Sequence, residues 1–159
     1  MTIGTKKFSV GAFVFFVGIT LLAGGIGALL GGDFSVIQAL QPPPLAPPSW
    51  LFFPVWTVLY IAMGIAAYLI WKTGDIDRNA SLRVYFLQLA INLLWPLFFF
   101  RLQWRLFAFL WILLLIGAVA YTIRRFSAHS TAAAWLLIPY FAWLLFAAYL
   151  NLGYYVLNR

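Results

Sequence analysis

Cysteine and glutamate are absent from this 159-residue chain, its only acids are Asp33, Asp75 and Asp77, and its only histidine is His129. Without cysteine there are no disulfides, no thiolate chemistry and no cysteine-ligated metal. With three carboxylates in the chain, paired acids for proton transfer, a Ser/His/Asp set and a metal site are all unexpected. All four of these residues fall in polar breaks between apolar stretches. No ionisable group is therefore expected at the centre of a span, which argues against a proton-coupled pump. His129, close to Arg124 and Arg125, reads as an exposed loop residue. Charged residues make up only 8% of the chain, against about a quarter in soluble domains.

What is present is apolar. Hydrophobic residues account for 65% of the sequence, and a bilayer core needs about 20 consecutive apolar residues per spanning helix. Five stretches qualify: 8–30, 50–71, 81–100, 106–123 and 131–157. They lack the alternation of barrel strands. The expected fold is an all-α integral membrane protein, a single domain of five transmembrane helices over residues 1–159. An odd number of spans fits poorly with paired inverted repeats. The first stretch follows Lys6 and Lys7, but its apolar run is too long for a typical cleaved leader.

The net charge of +7 forms no basic stripe with interleaved aromatics, so nucleic acid is not an expected partner. The positive-inside rule accounts for it better. With the N-terminus in the cytoplasm, Lys6, Lys7, Lys72, Arg78, Arg83, Arg124 and Arg125 lie inside, against Arg101, Arg105 and Arg159 outside.

Between the first two spans lies PPPLAPP, with five prolines in residues 42–48. Proline fixes φ and lacks an amide hydrogen, so this segment cannot be interior helix and is expected to be extended and semi-rigid. Ser49 would then cap the second helix. A helix-start signal explains Pro47, Pro48 and Ser49. A stiff strap over one mouth of the bundle, including Pro43 and Leu45, is the functional reading.

Inside the spans the polar groups are uncharged. Trp56, Tyr60 and Gly64 share a face of the second helix, and Gln88, Asn92 and Trp95 share one on the third. Tyr140, Trp143, Ala147 and Asn151 share one on the fifth. Pro96 and Pro139 free the carbonyls of Asn92 and Trp135 from their usual partners. An unpaired amide is costly in hydrocarbon, so Gln88, Asn92 and Asn151 should face the bundle interior. Those stripes are either packed core or the walls of a cavity for a large, planar, mostly apolar guest. Trp71, Trp104 and Trp135 lie near span ends and suit interfacial belts. Gly27 and Gly31 form a GxxxG pair that serves either packing within the chain or a homodimer seam. Leu152, Tyr154 and Arg159 fit a weak sterol-recognition pattern.

The segments APPSWLFFPVWTVLYIAMGIAAYLIWK, QLAINLLWPLFFF and LLIPYFAWLLFAAYLN, in that order, resemble the translocator protein family. This family is also called the tryptophan-rich sensory proteins or peripheral benzodiazepine receptors. The resemblance implies a five-helix bundle, commonly a homodimer, binding porphyrins, sterols or benzodiazepine-like ligands under a loop lid. It places ligand contacts at Trp56, Tyr60, Asn92, Trp95, Trp143, Ala147 and Leu150, with the lid at Pro43, Leu45, Pro47 and Pro48. A porphyrin is then a ligand, not a cofactor, and the expected role is a receptor or carrier in a cell membrane of prokaryotic type. Light- and oxygen-dependent porphyrin breakdown is the enzymatic alternative. The chain departs from the family at the lid, where Val36 and Ile37 replace a Trp-Tyr pair, Pro42 a lysine and Leu45 a tryptophan. At the start of the fourth helix, Phe107 and Trp111 stand where many members have Trp and Asp. The lost indoles weaken the enzymatic alternative.

Overall fold

The computed structural model describes residues 7–159, so Lys6 lies outside the described residues. Among these, five helices are long and apolar enough to cross a membrane. They are α1 (Val10–Gly31), α2 (Phe52–Thr73), α3 (Arg78–Pro96), α4 (Arg105–Ser127) and α5 (Thr131–Leu157). Helix α4 packs on α3 and α5, α1 on α2 and α3, and α2 on α5.

Local chemistry sets the helix ends. The Ser9 hydroxyl accepts from the Ala12 amide at 3.3 Å, and Ser130 accepts from Ala133 at 3.2 Å. These bonds satisfy orphan donors at the starts of α1 and α5. Gly74 ends α2 in the left-handed conformation at φ 73°, which glycine adopts without strain. Ser49 does not cap α2; it opens a short 3-10 turn, Ser49–Leu51, because Pro48 accepts the Leu51 amide first. Helix α3 stops being regular at Pro96 and continues as a π turn, Leu97–Arg101. α4 outruns its apolar stretch by four residues, because Arg124 and Arg125 continue its last turns.

Small residues carry the close helix approaches. A methyl built on Gly27 would lie 3.2 Å from the Leu93 carbonyl oxygen, and one on Gly31 would lie 3.0 Å from Pro96. The GxxxG pair is thus used against α3 within the chain. Gly64 rests on the α1 backbone, where a methyl would stand 2.6 Å from the Val17 Cα. Tyr85, Phe126, Met63, Leu137 and Leu144 fill the interior. Trp104 and Trp135 are exposed, as belt residues should be. Trp71 is not: half-buried, it stacks on Tyr68 with centroids 6.0 Å apart.

The connection between α1 and α2 begins with a 3-10 turn, Phe34–Ala39. Asp33 caps it by accepting from the Ser35 hydroxyl and amide, each at 2.8 Å. Both bonds, the hydroxyl's first, hold that carboxyl below its usual range. The proline segment is not a straight strap. Ala46 donates to the Pro43 carbonyl at 3.2 Å, and Leu45 has φ 65°. Pro44 and Leu45 are therefore the centre of a reverse turn that normally favours glycine at the second of these positions. Leu45 stands 82% exposed at its tip.

Candidate functional site

The three aromatic and amide stripes meet inside the bundle. From α2, Tyr60 donates its hydroxyl to Asn92 Oδ1 at 2.7 Å. Asn92 Nδ2, on α3, donates to the Tyr140 oxygen at 2.7 Å, and Tyr140, on α5, donates to Gln88 Oε1 at 3.0 Å. This chain crosses three helices and orients every member. Trp56 stacks on Tyr60 at 5.4 Å and meets the Tyr140 ring edge-on at 6.2 Å. Gly24 of α1 makes room for Tyr60, since any side chain there would meet its ring.

One turn toward the proline loop, Trp95 Nε1 donates to Asn151 Oδ1 at 3.1 Å, and Asn151 Nδ2 donates to the Arg105 carbonyl at 2.8 Å. Trp143 lies against Phe52 at 5.9 Å and Phe146 at 5.6 Å. Ala147 and Leu150 are buried on the same helix. Two buried donors on these stripes, Trp143 Nε1 and Gln88 Nε2, have no hydrogen-bond partner within the described protein.

The proline loop lies over this end. Ile37, Leu40, Ala46 and Phe52 pack on a cluster of Phe99, Ala108, Leu150 and Tyr154. Pro43 is buried, and its ring occupies the space a side chain on Gly153 would need. Three hydrogen bonds tie the loop to the end of α5. Asn158 Oδ1 accepts the Gln41 amide at 2.8 Å, Asn158 Nδ2 donates to the Gln41 carbonyl at 3.0 Å, and the Tyr149 hydroxyl donates to the Pro44 carbonyl at 2.8 Å. Pro47 is half-buried and Pro48 exposed.

The sterol-pattern residues do not share a surface. Tyr154 is buried, whereas Leu152 and Arg159 face outward. His129 is also not the exposed loop residue expected, and a Ser/His/Asp set exists after all. Asp75 Oδ2 lies 2.8 Å from His129 Nδ1, and Ser81 Oγ lies 3.0 Å from Nε2. The order is that of a hydrolytic relay. Ser81, however, is wholly buried, and its oxygen also accepts from Arg125 Nε at 3.3 Å. A nucleophile must reach its substrate, so this set instead ties the α2–α3 and α4–α5 connections together. Spacing could not reveal it, because its members come from different helix ends. Tyr140 was legible as part of a stripe, but not as the hub that receives Asn92 and holds Gln88.

Five apolar spans around an uncharged aromatic and amide interior define a multi-pass integral membrane protein. The TspO/MBR family profile matches residues 16–157, and the chain belongs to that family. Similar proteins come from distant sources. A tryptophan-rich protein TspO of Archaeoglobus fulgidus is 40% identical over 134 residues, covering 80% of this chain and 87% of the relative. The translocator protein of Ovis aries is 43% identical over 143 residues, 85% of each chain. That of Homo sapiens is 40% identical over 139 residues, 82% of each chain.

Proposed function

We propose that the protein is a membrane receptor or carrier for a planar, lipophilic molecule, with a porphyrin or related tetrapyrrole as the leading class and sterols or benzodiazepine-like compounds as further guests. The observation that carries this reading is the pair of orphan donors, Trp143 Nε1 and Gln88 Nε2, on an otherwise hydrogen-bonded interior. Leaving a buried donor unpaired costs about 1–3 kcal/mol. A guest carrying acceptors offsets that cost.

The remaining groups suit the same guest. Trp56, Trp95 and Trp143 offer faces and edges for stacking. Tyr60 and Asn92 belong to a hydrogen-bond chain with fixed donor directions, which selects orientation. Ala147 keeps the α5 wall low. In the closed arrangement Trp56 and Tyr60 lie against each other, so entry separates this stack or proceeds beside Trp143. The loop over Leu150 and Tyr154 controls that access, and its tethers set the rate of exchange. No carboxylate or imidazole lies among these side chains, so they supply no positioned general base.

Titration with protoporphyrin tests the reading. Indole fluorescence should quench and saturate at one ligand per chain. Trp143→Leu and Asn92→Ala should each weaken binding about tenfold, as the loss of one good contact predicts at about 1.4 kcal/mol. Binding unchanged in both variants, with melting temperatures showing both folded, would remove the assigned site.

A further inference from the structure

A groove lies on the outside of the bundle, where α4 begins beside the end of α5. It is open and shallow, takes up about 510 Å³, and is lined by Gln103, Trp104, Arg105, Phe107, Leu110 and Tyr155. Its lining is mostly apolar and includes a guanidinium, a carboxamide, an indole and a phenol.

Three observations indicate more than a lipid-facing helix surface. First, Arg105 Nε is buried and has no hydrogen-bond partner. Among the described residues the one ion pair joins His129 and Asp75, at the opposite end of the bundle, so no carboxylate of the protein neutralises Arg105. Second, the guanidinium is held in place. Its Nη2 donates to Gln103 Oε1 at 3.2 Å, and the carbonyl of the same arginine accepts from Asn151 at 2.8 Å. Third, Gln103 adopts φ 55°. A side chain in that region costs about 1–2 kcal/mol, and such strain gathers at functional positions. Here it turns the carboxamide of Gln103 onto Arg105.

The charge balance specifies the occupant. Arg101, Arg105 and Arg159 stand at this end, where Asp33 is the one acidic side chain, and Asp33 is already engaged by Ser35. A fixed, unpaired guanidinium at the membrane boundary above an apolar trough matches a phosphate joined to acyl chains. We propose that this groove binds one anionic phospholipid of the leaflet on the proline-loop side. Arg105 holds the phosphate, the Tyr155 hydroxyl and Trp104 indole border the glycerol region, and Phe107 and Leu110 receive the first methylenes. The inference is independent of which guest occupies the bundle.

Native mass spectrometry of the full-length protein tests it, using phosphatidylglycerol and phosphatidylcholine with identical acyl chains. Wild type should retain one phosphatidylglycerol per chain with about tenfold preference over phosphatidylcholine. Arg105→Gln should abolish the preference while the protein remains folded by circular dichroism. Leu110→Trp, which fills the trough without touching charge, should reduce retention of phosphatidylglycerol at least fivefold. Arg83→Gln, a charge change at the other end, should change nothing. Equal retention of the two lipids by wild type overturns the proposal, as does an unaltered preference in Arg105→Gln.

Discussion

Replacing Gly153 with alanine should open the proline loop without disturbing the bundle. The new methyl would stand 2.5 Å from Pro43 Cβ and 3.0 Å from its Cγ, whereas ordinary contact begins near 3.4 Å. Pro43 has no rotamer with which to escape, so the ring must withdraw by about 0.9 Å. Gln41 and Pro44 flank it, and their tethers to Asn158 and Tyr149 measure only 2.8–3.0 Å. The same displacement stretches them beyond hydrogen-bond range. Each such bond contributes about 0.5–1.5 kcal/mol net, and exposed ones sit at the lower end. Losing two of the three shifts loop closure by about 1–2 kcal/mol, which raises the open population about 5- to 30-fold. Amide hydrogen exchange at Gln41 and Ala46 reads this directly, since their donors are bound to Asn158 and Pro43. Protoporphyrin release should accelerate by the same factor. Exchange rates at both amides within twofold of wild type would refute the reasoning, whatever the ligand.

Two further substitutions probe the frame around the site. Gly64→Ala would push a methyl to 2.6 Å from Val17 Cα and 2.9 Å from the Phe16 carbonyl oxygen. Backbone cannot rotate aside, so α1 must move from α2 at a cost of about 1–3 kcal/mol, visible as a lower melting temperature in detergent. His129→Ala removes both bonds that join Asp75 to Ser81. At about 1 kcal/mol each, it should expose the α2–α3 connection to limited proteolysis while leaving protoporphyrin affinity unchanged. An unchanged digestion pattern would mean that the set bears no load.

The number, kind and approximate extent of the spans follow from sequence alone, because a bilayer imposes a length and an apolarity that local composition either meets or does not. The same holds for the inward stripes, since helical spacing places Trp56 with Tyr60, and Asn92 with Trp95, before any partner is known. Spacing cannot say which stripe touches which. That Asn92 bridges Tyr60 to Tyr140, or that Trp95 reaches Asn151, depends on the relative rotation of three helices. Periodicity within one helix does not encode that rotation. The proline run illustrates the limit: fixed φ angles imply an extended segment, but the reversal at Leu45 needs φ of the opposite sign in a non-glycine residue, held by the Ala46–Pro43 and Tyr149–Pro44 hydrogen bonds and by Pro43 against Gly153. His129 shows the limit again. Its neighbours in sequence are arginines, and its partners in space, Asp75 and Ser81, are about fifty residues away, joined only when the ends of four helices converge.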